Sequence, residues 1–304
     1  MELTNYELLW RGLGSPSNVA VWLVYHNVYK NRPTLEQIRS LDADKIFVVD
    51  QEGLCADWVD ADERIYVWDS TYRKHPRFFP YFWWWDTTHD VARDQQLLEK
   101  LNPKPQYHFE AMLGYQKPTA DIVYKNFKDD SRVLLNYFYK SNVWLPSGNA
   151  AADGVFTGTS GELVEYNSDK QQANRSTFIP TAIYNQSWFS VVTESRPSDI
   201  FFTEKTAKPL LSKRLFVFFG AKHSLWVLHQ LGFKTFSSVI DESYDSIEDD
   251  QQRWQAAADQ IKFLLEQDPG AVYQQILPVL EYNQQLFQSI NWNNQMEEQM
   301  KRLK

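Results

Sequence analysis

Ser190-Val191-Val192-Thr193-Glu194-Ser195, then after a short loop Asp199-Ile200-Phe201-Phe202-Thr203-Glu204-Lys205, then Phe216-Val217-Phe218-Phe219-Gly220: this stretch carries the reading of the chain. The first apolar, β-branched run is a buried strand that delivers Glu194 at its carboxyl end. Thr203 followed by Glu204 is a helix start, an N-cap hydroxyl with an acid in the first turn. The helix covers residues 204–211, and the third run is another strand closed by a glycine. Strand, loop, helix and strand in this order make one unit of a parallel α/β sheet. A helix mouth at the carboxyl edge of such a sheet offers unpaired N–H groups and the positive end of the helix dipole, which suits a diphosphate. Lys205 adds a point charge, and Glu194 or Glu204 can accept hydrogen bonds from ribose hydroxyls. Plain helix capping accounts for Thr203 and Glu204 but not for the whole array.

Working outward, residues 180–185 form a helical patch, residues 224–231 a helix ended by Gly232, and residues 234–236 the start of a further strand. Residues 247–304 are helical with a break at Asp268-Pro269-Gly270. In the N-terminal half, residues 19–25, 45–50 and 64–69 read as strands, with a short helix over 34–41. Residues 106–113 and 132–138 are strands around a helix over 118–127 that opens with a proline, and residues 91–101 are another helix. Between residues 147 and 175 the composition shifts to Gly, Ala, Ser, Asn and Asp without periodicity, which marks a domain boundary. A length of 304 residues suits two α/β domains.

The formal net charge of −8, without a long Lys/Arg run, disfavours nucleic acid as a partner. The single cysteine, Cys55, excludes an internal disulfide and suits a reducing compartment. With neither a basic segment followed by an apolar stretch at the start nor any membrane-length apolar run, a cytoplasmic protein without a membrane span is expected. Of the 12 Trp, 16 Tyr and 19 Phe, many cluster as in Phe78-Phe79-Pro80-Tyr81-Phe82-Trp83-Trp84-Trp85. Most such rings serve as core, and one beside a ligand can also pack on a sugar. Asp42-Ala43-Asp44 and Asp60-Ala61-Asp62 share the D-x-D spelling of metal-binding transferases, yet both precede a strand where a metal-binding pair follows one. They read as solvated loop acids. The histidines show no metal-ligand spacing, and Asp86-Thr87-Thr88-His89-Asp90 reads as a helix start. There is no glycine-rich phosphate loop and no nucleophile elbow.

Glu194-Ser195, Phe202-Thr203-Glu204-Lys205 and a strand ending in Gly220 resemble the donor-site signature of the α-1,3-fucosyltransferases. Residues 184–244, together with Phe109-Glu110-Ala111-Met112-Leu113-Gly114-Tyr115-Gln116-Lys117-Pro118, are similar to a set of uncharacterised phage glycosyltransferase-like proteins. The resemblance implies that Glu204 and Lys205 bind ribose and diphosphate, with Arg175 as a further phosphate contact. Ser195 stands where the family has Asn, and Leu215 where it prefers Pro, which bears on the identity of the sugar nucleotide.

The expectation is therefore an α/β chain of the GT-B type, with two Rossmann-like domains, a cleft between them and C-terminal helices packing back. Residues 1–175 would be the acceptor-side domain, 176–267 the nucleotide-sugar domain and 268–304 the helical segment. The expected activity moves a sugar from a nucleoside-diphosphate sugar to a carbohydrate or other hydroxyl acceptor, inverting, without metal or other cofactor. Donor contacts fall to Arg175, Glu194, Thr203, Glu204 and Lys205, and the base to Glu110 at a strand end or else to Asp86. The rival expectations are a non-catalytic carbohydrate- or nucleotide-binding protein of the same fold, and a phage-type transferase acting on modified DNA bases.

Overall fold

The computed structural model describes residues 19–24, 34–50, 55–141, 178–291, 294, 295, 298 and 299, the backbone alone for 19–24 and 83. It is an α/β protein with two four-stranded parallel sheets. The chain divides into two units, Met1–Trp84 with Asn291–Lys304, and Trp85–Ile290. The expected boundary at residue 175 is thus displaced to Trp84. The reason is strand pairing: the strand at Tyr107–Leu113, before the Gly/Ser-rich stretch, is hydrogen-bonded to the strand at Ser187–Thr193, after it.

The first unit runs β1 (Val19–Val24), α1 (Leu35–Arg39), β2 (Lys45–Asp50), α2 (Trp58–Ala61), β3 (Ile65–Asp69) and β4 (Phe78–Pro80), with the strands side by side in chain order. α1 opens with a capping box: the Gln37 N–H donates to Thr34 Oγ1 at 3.2 Å and the Thr34 N–H to Gln37 Oε1 at 2.8 Å. Strand alternation sorts the core. Ile46, Val48, Ile65 and Val67 pack with Ile38 and Val59 from the helices. Phe47, Trp68 and Phe79 form an aromatic row, with Trp68 stacked on Phe79 at 4.7 Å between centroids. The Trp68 indole N–H donates to Gln299 Oε1 at 2.8 Å, which ties the end of the chain to this unit. β4 comes from the aromatic run whose rings the sequence assigned mostly to the core.

Asp50 and Asp69, at the carboxyl ends of β2 and β3, are fully buried loop anchors. Asp50 accepts from the Cys55 N–H at 2.6 Å, and Asp69 from the Thr71 N–H at 2.7 Å and hydroxyl at 2.8 Å. Of the D-x-D acids, Asp60 pairs with Arg73 and Asp62 with Arg64.

The second unit begins within α3 (Trp83–Asp94) and continues through β5 (Tyr107–Leu113), α4 (Pro118–Phe127), β6 (Val133–Tyr137), α5 (Phe138–Ser141), α6 (Thr181–Tyr184), β7 (Ser187–Thr193), α7 (Glu204–Leu211), β8 (Phe216–Phe219), α8 (Ser224–Gln230), α9 (Asp250–Leu265) and α10 (Pro269–Ser289). α3 starts earlier than expected, so Asp86 to Asp90 lie inside it, and residues 234–236 form no strand. Trp85 anchors the helical layer, its ring centroid 5.6 Å from that of Phe202, 5.5 Å from Phe233 and 5.2 Å from Phe287. Among the described residues no helix is long and apolar enough to cross a membrane.

The strand order β6-β5-β7-β8 decides where a ligand can sit. From β5 the chain passes through α4 to β6 on one side, and from β7 through α7 to β8 on the other. α4 packs on β6 and α9, whereas α7 packs on β7 and α10, so the helices cover both faces. Between β5 and β7 the winding reverses. In doubly wound sheets this is where ligands bind.

Candidate functional site

At that reversal the chain after β7 brings Glu194, Ser195, Thr203, Glu204 and Lys205 together. Glu194 is buried and its carboxylate is fully engaged. Oε1 accepts from the Thr203 N–H at 3.0 Å and the Thr206 hydroxyl at 2.6 Å, and Oε2 from the Thr203 hydroxyl at 2.6 Å. It sets the position of the α7 N-terminus, a task that leaves it little capacity for the ribose contact expected of it.

Thr203 is the N-cap of α7, and its Oγ1 accepts from the Lys205 N–H at 3.3 Å. The Glu204 N–H bonds its own carboxylate. The first N–H groups of α7 therefore have partners already, and the cation beside them is Lys205. The Lys205 ammonium, about one third exposed at 31%, reaches Glu204 Oε1 at 2.6 Å, Ser195 Oγ at 3.1 Å and Thr203 Oγ1 at 3.3 Å. Burial pushes the Glu204 carboxyl up, but Lys205 and then Lys208 outweigh it and hold the group below its usual range. Glu204 is thus an ionised, buried carboxylate that fixes Lys205 at the helix mouth.

A residue that sequence reasoning passed over completes the cluster. Lys117 is the N-cap of α4, and its ammonium crosses to β7, donating to the Thr193 and Glu194 carbonyl oxygens, the latter at 2.8 Å. Burial, and then the charge of Lys205, lower its pKa to about 7 against the opposing pull of Glu194 and Glu204. Two lysines from different crossovers thus converge where β5 and β7 part. The only hint in the sequence was the Lys117-Pro118 helix start directly after a strand. The partners lie 76 and 77 residues further on.

The third crossover helix of this edge is closed. The Asp245 carboxylate accepts from the Leu225 N–H at 3.1 Å and the Trp226 N–H at 3.2 Å, which occupies the start of α8.

Glu110 is placed elsewhere. It stands in the middle of β5, not at its end, 3% exposed, in register with Ser190. Arg214 lies beside it, also buried, and donates to Ser190 Oγ at 2.8 Å, Tyr184 O at 3.0 Å, Ser187 O at 2.8 Å, Ser187 Oγ at 2.9 Å and Phe189 O at 2.9 Å. Burial raises the Glu110 pKa against the pull of Arg214 and a hydrogen bond with Ser190. A general base must reach the proton it removes, and a carboxylate enclosed in the sheet with a guanidinium does not. Glu110 belongs to a structural pair. Asp86 is half-buried in the first turn of α3. Arg175 lies outside the described residues. Among the described residues no group of three or more His, Cys, Asp or Glu side chains could hold a metal ion.

No protein-family model matches the chain, and no curated protein or solved structure matches it either.

Proposed function

We propose that this protein is a glycosyltransferase of the GT-B type, moving a sugar from a nucleoside-diphosphate sugar to an acceptor hydroxyl with inversion and without a resident metal. The second unit is its donor side. One observation carries the reading: an ionised Glu204, an N-cap Thr203 and an ammonium on Lys205 meet at the carboxyl edge of a parallel sheet, where the winding reverses. The resemblance of this segment to the fucosyltransferase donor signature points the same way.

In the proposed reaction the acceptor oxygen attacks the anomeric carbon as the bond to the diphosphate breaks. Lys205 stabilises the negative charge that develops on the departing nucleoside diphosphate. Glu204 keeps Lys205 aimed. With Glu110 enclosed beside Arg214, Asp86 takes the role of the base that receives the acceptor proton.

The test is a panel of sugar nucleotides with release of free nucleotide as the readout, and calorimetric titration of the best donor into wild type and Lys205→Ala. Truncation removes a charge-assisted contact, so donor affinity should fall by about ten- to a hundredfold, with turnover falling further. Binding without turnover would make the protein a binding module. An unchanged donor affinity in Lys205→Ala would remove the proposed site.

A further inference from the structure

The two lysines at the winding reversal are held differently. Lys205 lies at the helix mouth among side-chain oxygens, whereas Lys117 is drawn under the strand ends with main-chain carbonyls as its acceptors. We propose that Lys117 is the second cation of the anion site, and that it takes up a proton as the ligand binds, so that the site selects a diphosphate over a monophosphate. This deepens the donor-site reading above and rests on it.

The groups facing Lys117 come from three elements. Glu194 stands at the end of β7, Glu204 and Lys205 open α7, and the Lys117 main-chain N–H donates to the Tyr137 hydroxyl of β6. Tyr137 in turn donates to Asp121 of α4 at 2.8 Å, which fixes the loop that carries Lys117. Glu194 has its carboxylate engaged by three donors, and Glu204 is bonded to Lys205. Neither is at liberty to neutralise Lys117 by a direct bond. Two ammonium groups side by side, of which Lys205 alone is bonded to a carboxylate among the described residues, repel each other, and an anion with charge on two phosphates relieves both at once.

With the ammonium titrating at about 7 in the unliganded protein, ligand binding should draw in about half a proton at pH 7 and most of one at pH 8. Near pH 8 the terminal phosphate of a nucleoside diphosphate is already ionised, so the proton counted there belongs to the protein.

Calorimetry with UDP and GDP, in two buffers of different ionisation enthalpy at pH 8, counts that proton. Wild type should take up most of one, and Lys117→Met, which keeps the length of the side chain, about none. Affinity for the diphosphates should weaken by about tenfold per pH unit above 7 in wild type and stay flat in Lys117→Met. The substitution should cost UDP more than UMP. A lysine that merely ties two strand ends together would change stability but neither the proton count nor the UDP/UMP ratio. Should the variant fail to fold, the wild-type count decides alone.

Nucleotide binding without proton uptake overturns this inference and leaves the donor site standing. If no nucleotide binds but inorganic pyrophosphate does, with a wild-type proton count exceeding that of Lys117→Met, the inference holds and the nucleotide reading falls. If neither binds, both are overturned.

Discussion

At the scale of single residues, two glutamates show how far a side chain's chemistry depends on its surroundings. Glu194 and Glu110 both lie in or just after parallel strands, and both were candidates for contact with substrate. Each is enclosed instead, Glu194 by three donors of the α7 start and Glu110 by Arg214. Removing Glu194 leaves those donors without an acceptor, so Glu194→Ala should cost about 1.5–3 kcal/mol in urea unfolding. A loss of a few tenths would mean that the donors find other partners. Arg214→Met should be harsher, at about 3–5 kcal/mol, because it strands Glu110 and three carbonyls. Glu110→Gln keeps the Arg214 hydrogen bonds and should be milder, with a direction in pH. The folded pKa of Glu110 is raised, so its contribution to stability is present below the unfolded value and is lost as pH rises through the folded one. Glu110→Gln carries no such loss and should gain on wild type as pH rises above the usual carboxylate range. It should also keep turnover within about tenfold, since removal of a true base costs a hundredfold or more. A folded but inactive Glu110→Gln would return the base role to this residue.

Elements were legible where their signal is local. The α4 and α7 ranges and the β2 range agree with the sequence reading to the residue, since proline, N-cap and terminal acid are themselves local marks. Where helix and strand signals overlap, the reading slipped. The start of α3 lies among tryptophans, which favour neither state strongly, and the Asp86 to Asp90 cluster mimics a cap although it lies within the helix. Residues 234–236 have the β-branched and aromatic content of a strand but no neighbour to pair with. The Lys234 N–H donates instead to Asn283 Oδ1 at 2.9 Å and the Lys234 carbonyl accepts from Asn283 Nδ2 at 2.8 Å, so α10 satisfies this backbone. The α7 N-terminus offers the test at this scale. Thr203→Val removes the cap and one of the donors to Glu194 while keeping the volume, so it should cost about 0.5–2 kcal/mol in stability. Lys205 would then be less firmly aimed, and donor affinity should weaken with it. Equal stability and affinity in Thr203→Val would show that Glu194 holds the helix start through the main-chain N–H alone.

Over the whole molecule, what escaped the sequence was pairing between distant segments. The Gly/Ser-rich stretch at 147–175 had every local mark of a domain boundary, yet β5 and β6 before it share a sheet with β7 and β8 after it. Strand order cannot be read from composition, and the site depends on it, because the pairing of β5 with β7 is what brings Lys117 to Lys205. The class of fold was legible, and half of the cation pair was not. Charge at this scale leads to the last prediction. With a formal net charge of −8, the protein as a whole repels a nucleoside diphosphate, so the attraction must be local. If two lysines supply that attraction, a divalent ion on the diphosphate works against them, since it removes two charges from the group they recognise. Release of nucleotide from the matched donor should therefore proceed in excess EDTA at a rate within about twofold of that with manganese, and added magnesium should weaken nucleotide binding. In an enzyme whose metal neutralises the leaving group, EDTA abolishes release and manganese restores it. That result here would mean that the lysine pair does not carry the leaving-group charge, and the roles given to Lys205 and Lys117 would fall together.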